Sequence, residues 1–132
     1  MAKIVLIDDH ALLRNGLAGL IKSLGHQVLY EADNGKHFIE QLKASGQVPD
    51  MVLLDINMPV MDGYDTALWI RSNMQSIKVL ALSMNDNENS ILRMLRNGAV
   101  GYILKDADPK ELALAIQSIN QKGYYHSELI SG

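Results

Sequence analysis

The sequence predicts an α/β fold in which five parallel strands form a doubly wound sheet and alternate with five helices. Short apolar runs begin near residues 3, 27, 50, 77 and 100, at intervals of 23 to 27 residues. Each run is followed by a segment with apolar residues at helical spacing, so each interval holds one strand and one helix. The 132 residues are sufficient for one ordinary hydrophobic core.

The first strand is predicted over residues 3–7, where the continuous apolar run is typical of a strand buried on both faces of a parallel sheet. Asp8 and Asp9 follow directly. Residues 13–24 then carry leucine and isoleucine at helical spacing, and Gly25 is well placed to end that helix.

The second strand is predicted over residues 27–32, and residues 33–35 (Asp-Asn-Gly) indicate a turn before the second helix. The third strand, residues 51–55, ends at Asp55. Asp62 is predicted to cap the third helix, because aspartate accepts hydrogen bonds from the free amides of a first turn.

The fourth strand is predicted over residues 77–82 and is followed by Ser83. The fifth covers residues 100–104 and is followed by Lys105. Residues 108–111 (Asp-Pro-Lys-Glu) predict the start of the last helix, with aspartate as N-cap, proline at the first helical position and glutamate at the capping-box position.

Polar side chains follow four of the five strands. These are Asp8 and Asp9, then Asp55, Ser83 and Lys105. In a doubly wound sheet the carboxyl ends of the strands lie at one edge, where ligands bind. The second strand contributes nothing comparable, which fits an edge strand in the order 2-1-3-4-5.

The chemistry of these side chains predicts phosphoryl transfer onto Asp55. Neighbouring carboxylates would repel by about 4 kcal/mol per pair at about 4 Å and an effective dielectric of about 20, and a divalent cation removes that conflict. Carboxylates, a carbonyl and waters suit Mg²⁺. Lysine and serine can bind an anion, and an aspartate at a strand end can form an acyl phosphate.

These motifs together resemble the receiver domain of bacterial two-component response regulators. The resemblance covers about residues 3–121 and is carried by Asp8-Asp9, residues 53–63 (LLDINMPVMDG), Ser83 and residues 101–105 (GYILK). It implies a flavodoxin-like (CheY-like) fold. It also implies that the phosphoryl group comes from a sensor histidine kinase or a phosphotransfer protein.

Site roles follow from the resemblance by position. Asp55 resembles the phosphoacceptor. Asp9, Asp55 and the main-chain carbonyl of Asn57 resemble the Mg²⁺ ligands, and Asp8 resembles a ligand that acts through water. The cofactor implied is therefore Mg²⁺.

Three further roles concern the phosphate and its effect. Lys105 resembles the phosphate-contacting lysine, Ser83 the switch hydroxyl and Tyr102 the aromatic switch residue. In such domains the aromatic side chain turns inward and alters the face formed by the fourth helix, fifth strand and fifth helix. The resemblance also implies a homodimer on phosphorylation.

Two positions depart from the common pattern. Asp106 stands where many receivers have a proline with a cis bond, so both isomers of the Lys105–Asp106 bond stay open, the cis form costing about 3–4 kcal/mol. Met84 is larger than its usual counterpart and is expected to narrow access to the phosphoryl group. The segments around Asp106 and Met84 both resemble those of the NarL/FixJ (LuxR-type) branch, whose receivers precede a helix-turn-helix DNA-binding domain.

The predicted organisation is a receiver domain at residues 1–122 and the start of an interdomain linker at residues 123–132. The effector domain is absent from this chain. We expect the natural gene to continue past Gly132 and the whole protein to control transcription.

Composition excludes several functions. Cysteine is absent, which excludes disulfides and thiolate sites. The net charge of −3 argues against direct nucleic-acid contact by this domain. Only four apolar residues precede the first aspartates, too few for a signal-peptide core or a membrane span. A cytoplasmic, non-membrane protein is expected, and not an enzyme beyond phosphorylation and dephosphorylation of its own Asp55.

The main alternative is a receiver-like scaffold that acts without phosphate. A haloacid-dehalogenase-type phosphotransferase is less favoured, because Asn57 cannot act as the general acid that the second aspartate of that motif supplies. A flavin mononucleotide carrier would share the fold, but it needs a phosphate-binding loop where Asp8 and Asp9 stand.

Overall fold

The computed structural model of the protein describes residues 1–84 and 86–126. The strands are β1 (Lys3–Ile7), β2 (Gln27–Ala32), β3 (Met51–Asp55), β4 (Lys78–Ser83) and β5 (Gly101–Leu104). The helices are α1 (Ala11–Ser23), α2 (Gly35–Ser45), α3 (Gly63–Asn73), α4 (Glu88–Arg96) and α5 (Pro109–Lys122). Strands and helices alternate along the described chain, as predicted.

The five strands form one parallel sheet in the order β2-β1-β3-β4-β5, which confirms the predicted topology. The first three strands have the predicted bounds. The last two begin one residue later than predicted, a difference within the usual variation at element ends.

Both faces of the sheet are buried, which explains the continuous apolar runs. Successive strand residues point to opposite faces. In β1, Val5 and Ile7 join a core cluster that also contains residues of α2, α3 and α4, whereas Ile4 and Leu6 join a second cluster with residues of α1 and α5. The sheet therefore holds its strand ends between two packed layers of helices.

Aspartate caps fix the starts of two helices near the carboxyl edge of the sheet. Asp62 accepts a hydrogen bond from the Asp65 N–H at the start of α3, as predicted. Asp108 caps α5, with Pro109 as the first helical residue, but its carboxylate accepts from the Lys110 N–H rather than from residue 111.

The chain after α5 packs back on the domain. The Tyr125 N–H donates to the Val100 carbonyl at 2.9 Å, and the Tyr125 side chain is buried in the cluster beneath α1 and α5. Part of the segment predicted as a linker is therefore in contact with the core, and its residues 127–132 lie outside the described residues. No helix of the described chain is both long and apolar enough to span a membrane.

Candidate functional site

Asp8 directly follows β1, and Asp55 is the last residue of the adjacent strand β3. Both are buried, with 2% and 3% exposure. Lys105 follows β5, and its side chain reaches both carboxylates. Its ammonium nitrogen lies 3.1 Å from Asp8 Oδ2 and 3.1 Å from Asp55 Oδ1. Lys105 therefore neutralises part of the negative charge of these two buried carboxylates.

The pKa of Asp55 is raised from 3.8 to about 6. Burial is the largest cause, because it disfavours the charged form, and repulsion from Asp8 adds to it. Lys105 acts in the opposite direction and compensates only in part. The site thus holds more negative charge than its lysine balances.

The acidic side chains fit a divalent cation. One oxygen each from Asp8, Asp9 and Asp55 and one nitrogen of His10 lie within 4.8 Å of one another. Asp55 Oδ2 is buried and has no hydrogen-bond partner among the described residues. Buried carboxylate oxygens are normally satisfied, so this oxygen is free to bind a cation.

Two further side chains reach the site from α1 and the turn before it. His10 places Nδ1 at 3.2 Å from Asp8 Oδ1 and 3.5 Å from Asp9 Oδ1. The sequence analysis does not single out His10, whose side chain is 61% exposed. Its position directly after two aspartates is the sequence feature that indicates a place beside the acidic site.

Arg14 of α1 links the ends of β1 and β2. Its Nη1 donates to the Asp8 carbonyl at 2.6 Å and to the Asp33 carboxylate at 2.8 Å, and its Nε donates to Glu31 at 2.9 Å. The arginine thereby holds the backbone that presents Asp8. The sequence carries no local signal for this role, since the acidic partners are 17 and 19 residues away.

The β3–α3 loop folds tightly against Asp55. The Gly63 N–H donates to the Ile56 carbonyl at 2.8 Å, and a Cβ at position 63 would overlap the Asp55 carbonyl oxygen. Val60 has φ of +69°, a strained value for a β-branched residue. Asn57 lies at the start of this loop and is exposed.

Ser83 and Tyr102 are both buried and lie on the neighbouring strands β4 and β5. Tyr102 is fully buried, so its ring faces inward. Burial raises the pKa of Tyr102. The Lys105 N–H donates to the Ser83 carbonyl at 2.8 Å, which connects this pair to the lysine. No cis peptide bond occurs within the described ranges, so the Lys105–Asp106 bond is trans.

Comparison with known proteins gives consistent results. The response regulator receiver domain model matches residues 4–117. The chain is 40% identical over 116 residues to the nitrate/nitrite response regulator protein NarL of Escherichia coli K12, covering 87% of this chain and 53% of that protein. It therefore spans about half the length of this curated relative.

Solved structures of receiver domains are similar to this chain as well. The receiver domain of the NarL response regulator from Mycobacterium tuberculosis has a TM-score of 0.84 and 34% identity, covering 92% of this chain and 97% of that one. The CheY of a CheX–CheY–BeF₃⁻–Mg²⁺ complex from Borrelia burgdorferi has a TM-score of 0.84 and 25% identity, covering 91% and 90%. With the family model matching most of its length, the chain belongs to the response regulator receiver domain family, in its NarL/LuxR-type branch.

Proposed function

We propose that this domain accepts a phosphoryl group on Asp55 from a sensor histidine kinase or a phosphotransfer protein. The observation that carries the proposal is the Asp55 carboxylate itself. It is buried, ion-paired to Lys105 through one oxygen and unpartnered, within the described chain, at the other. Such a carboxylate is held in place by the lysine, and its second oxygen accepts no hydrogen bond from the described residues.

Asp8, Asp9, Asp55 and the main-chain carbonyl of Asn57 would hold Mg²⁺, with Asp8 acting through water. When bound, the cation supplies positive charge that offsets the charge of the transferred group. The Borrelia CheY relative, crystallised with BeF₃⁻ and Mg²⁺, supports this assignment. His10 lies in the same cluster.

Lys105 and Ser83 would bind the phosphoryl oxygens. The lysine ammonium already lies 3.1 Å from Asp55, so it can contact a phosphoryl group bonded to that carboxylate. The Asp55 oxygen forms the new O–P bond as the P–N bond of a phosphohistidine donor breaks. Asp55 must be ionised to attack, and the positive charge of Lys105 favours that form.

A protein donor is supported by the surface near the site. Apart from Met1, the most exposed large apolar side chains of the described residues are Leu12 at 88%, Val60 at 77% and Met84 at 73%. Each belongs to the segment after β1, β3 or β4. A donor that reaches Asp55 must pass these side chains, and apolar contacts with a protein would bury them.

Ser83 and Tyr102 would transmit the state of the site. When the Ser83 hydroxyl turns to the phosphoryl group, the surroundings of the Tyr102 ring would change, and this ring belongs to the core cluster that contains residues of α4. The altered α4–β5–α5 face would support a homodimer on phosphorylation. The output would be transcription control through a DNA-binding domain outside this chain, as in the transcriptional regulatory relatives.

The domain assignment at residues 1–122, the linker at 123–132 and the cytoplasmic location belong to the same proposal. A phosphate-independent scaffold is the second candidate. The presence of all three acids and the lysine in one cluster favours the active receiver. We propose no catalytic turnover beyond phosphorylation and dephosphorylation of Asp55.

The test is mass spectrometry of the intact protein after incubation with acetyl phosphate and Mg²⁺. The wild-type chain should gain one phosphoryl group, and Asp55→Asn should gain none. Asp65→Asn, which changes an exposed carboxylate of α3, is the matched control and should still be labelled. Labelling of Asp55→Asn would reject Asp55 as the acceptor, and absence of labelling in every variant would favour the scaffold.

A second measurement concerns the switch. Beryllofluoride, a mimic of the phosphoryl group, should shift amide resonances across residues 85–120. An unchanged spectrum in this region with the ligand demonstrably bound would favour the scaffold as well.

A further inference from the structure

His10 occupies the N-cap position of α1, yet its ring makes no capping hydrogen bond. N-cap side chains are usually short and polar, and they accept bonds from the first-turn amides. The His10 ring turns instead toward the acidic cluster, where Nδ1 lies 3.2 Å from Asp8 and 3.5 Å from Asp9. His10 therefore does not cap the helix with its side chain, and its ring is instead in contact with the acidic site.

The other histidines have their rings engaged elsewhere. His26 Nδ1 accepts a hydrogen bond from the Ala2 N–H, and His37 Nδ1 accepts one from the Asp33 N–H, each at 3.0 Å. The His126 ring packs against Tyr124, with 4.5 Å between ring centroids. Within the described residues, only His10 contributes nitrogen to the group of ligand atoms around Asp55.

The contacts of His10 Nδ1 place opposite demands on one atom. Toward Asp8 and Asp9 it must donate a proton, because carboxylates only accept. Toward the Lys105 ammonium, 3.4 Å away, it must offer its lone pair, because an ammonium only donates. A divalent cation resolves the conflict, since carboxylate oxygens and the imidazole lone pair can all coordinate it.

Resting on the proposed function, we propose that His10 Nδ1 is a nitrogen ligand of the cation site. It joins the carboxylates of Asp9 and Asp55, with Asp8 acting through water, and it shifts the preference of the site toward divalent ions of the transition series. The buried Asp55 Oδ2, which lacks a hydrogen-bond partner in the described chain, is a second observation, separate from the His10 contacts, that points to a cation ligand in this cluster.

The selectivity follows from ligand chemistry. Mg²⁺ prefers oxygen ligands and keeps several waters, so it gains little from an imidazole. Nickel and other late first-row ions bind imidazole strongly. A site that combines an imidazole with carboxylates should therefore favour Ni²⁺ over Mg²⁺ more than a site with oxygen ligands alone.

The experiment is calorimetric titration of the untagged chain with NiCl₂ and with MgCl₂, for wild type, His10→Ala and His37→Ala. His37 is the matched control because it also pairs with an aspartate, at 3.6 Å, but outside the cluster. His10→Ala should weaken Ni²⁺ binding about tenfold or more and change Mg²⁺ binding far less. His37→Ala should bind both ions as the wild type does.

Pulsed electron paramagnetic resonance of the Mn²⁺-loaded protein gives a direct readout. The wild type and His37→Ala should show nitrogen coupling to the ion, and His10→Ala should not. Equal Ni²⁺ affinity in wild type and His10→Ala, or bound Mn²⁺ without coupling in the wild type, would overturn the proposal while leaving Asp55 phosphorylation intact. Failure of every divalent ion to bind would overturn both this proposal and the cation site of the proposed function.

Discussion

The ammonium nitrogen of Lys105 lies 3.1 Å from Asp55 Oδ1, although the two residues are 50 positions apart in the chain. The same nitrogen contacts Asp8 at 3.1 Å. Lys105 is thus the counter-ion of both buried carboxylates in the absence of a bound cation.

Replacing Lys105 by alanine should slow phosphorylation by acetyl phosphate about tenfold or more, because the transferred group loses a positive partner. The Mg²⁺ affinity should not fall, since the ammonium and the cation are like charges beside the same carboxylates, and removing the ammonium relieves their repulsion. Rates can be measured by intact-mass time courses. Lys110→Ala, at an exposed position of α5, is the control, and equal rates for the two variants would contradict the assigned role of Lys105.

Asp55→Asn should stabilise the fold at pH 8 without divalent cations. The folded pKa of Asp55, about 6, lies above its ordinary 3.8, so the folded state binds the proton more tightly than the unfolded state. Its favourable contribution is complete below about pH 4 and is lost as the pH rises through about 6. Because asparagine cannot ionise, the variant avoids this loss, worth on the order of 1–3 kcal/mol.

The comparison requires thermal unfolding of wild type and Asp55→Asn at pH 4 and pH 8 in the presence of a chelator. The difference between them should be large at pH 8 and small at pH 4. An advantage of the same size at both values would show that Asp55 titrates normally. Asp65→Asn should show no such pH-dependent gain.

Tyr102 stabilises the folded state mainly through its buried ring. Tyr102→Ala removes a fully buried aromatic side chain and should lower the free energy of unfolding by about 3–5 kcal/mol. Tyr102→Phe keeps the ring, loses only the hydroxyl group and should cost about 1 kcal/mol. Urea titration measures both. A cost below about 0.5 kcal/mol for alanine would place the ring on the surface instead.

Gly63→Ala should destabilise the protein by about 2 kcal/mol or more, because the new Cβ would overlap the Asp55 carbonyl oxygen and lie 2.7 Å from the Ile56 Cα. Phosphorylation should also slow, since the backbone of Asp55 must shift. Gly16→Ala is the control, because a Cβ at that helical position meets nothing within 4 Å. It should stabilise the fold by about 0.5–1 kcal/mol, and similar losses at both positions would contradict the tight loop.

Arg14→Ala should lower the free energy of unfolding by about 1–3 kcal/mol, because it leaves the Asp8 carbonyl and two acidic side chains without their common partner. Arg14→Lys should restore only part of this, since an ammonium lacks the planar fork that reaches several acceptors. Urea titration distinguishes the variants. Full restoration by lysine would show that only the charge matters.

The order of strands and helices could be predicted because it depends on local patterns. The continuous apolar runs of β1 and β3 require burial on both faces, and that requirement alone places helices on each side of the sheet. The carboxyl ends of parallel strands then share one edge. For this reason the sequence predicts that Asp8, Asp55 and Lys105 lie close together.

Other features depend on distances that no local pattern specifies. The ring of His10 could equally have faced solvent, and Arg14 finds its partners across β1 and β2 only after the sheet has formed. The inward position of Tyr102 and the fit of Gly63 against Asp55 likewise result from packing between elements far apart in sequence.

The sequence by itself therefore determined the fold and the chemical types of the groups at the site, because periodicity and strand ends are local properties. Only the tertiary structure decided which oxygen of Asp55 meets Lys105, which one lacks a partner among the described residues and which histidine joins the carboxylates. These depend on side-chain directions, which are set when distant elements pack together.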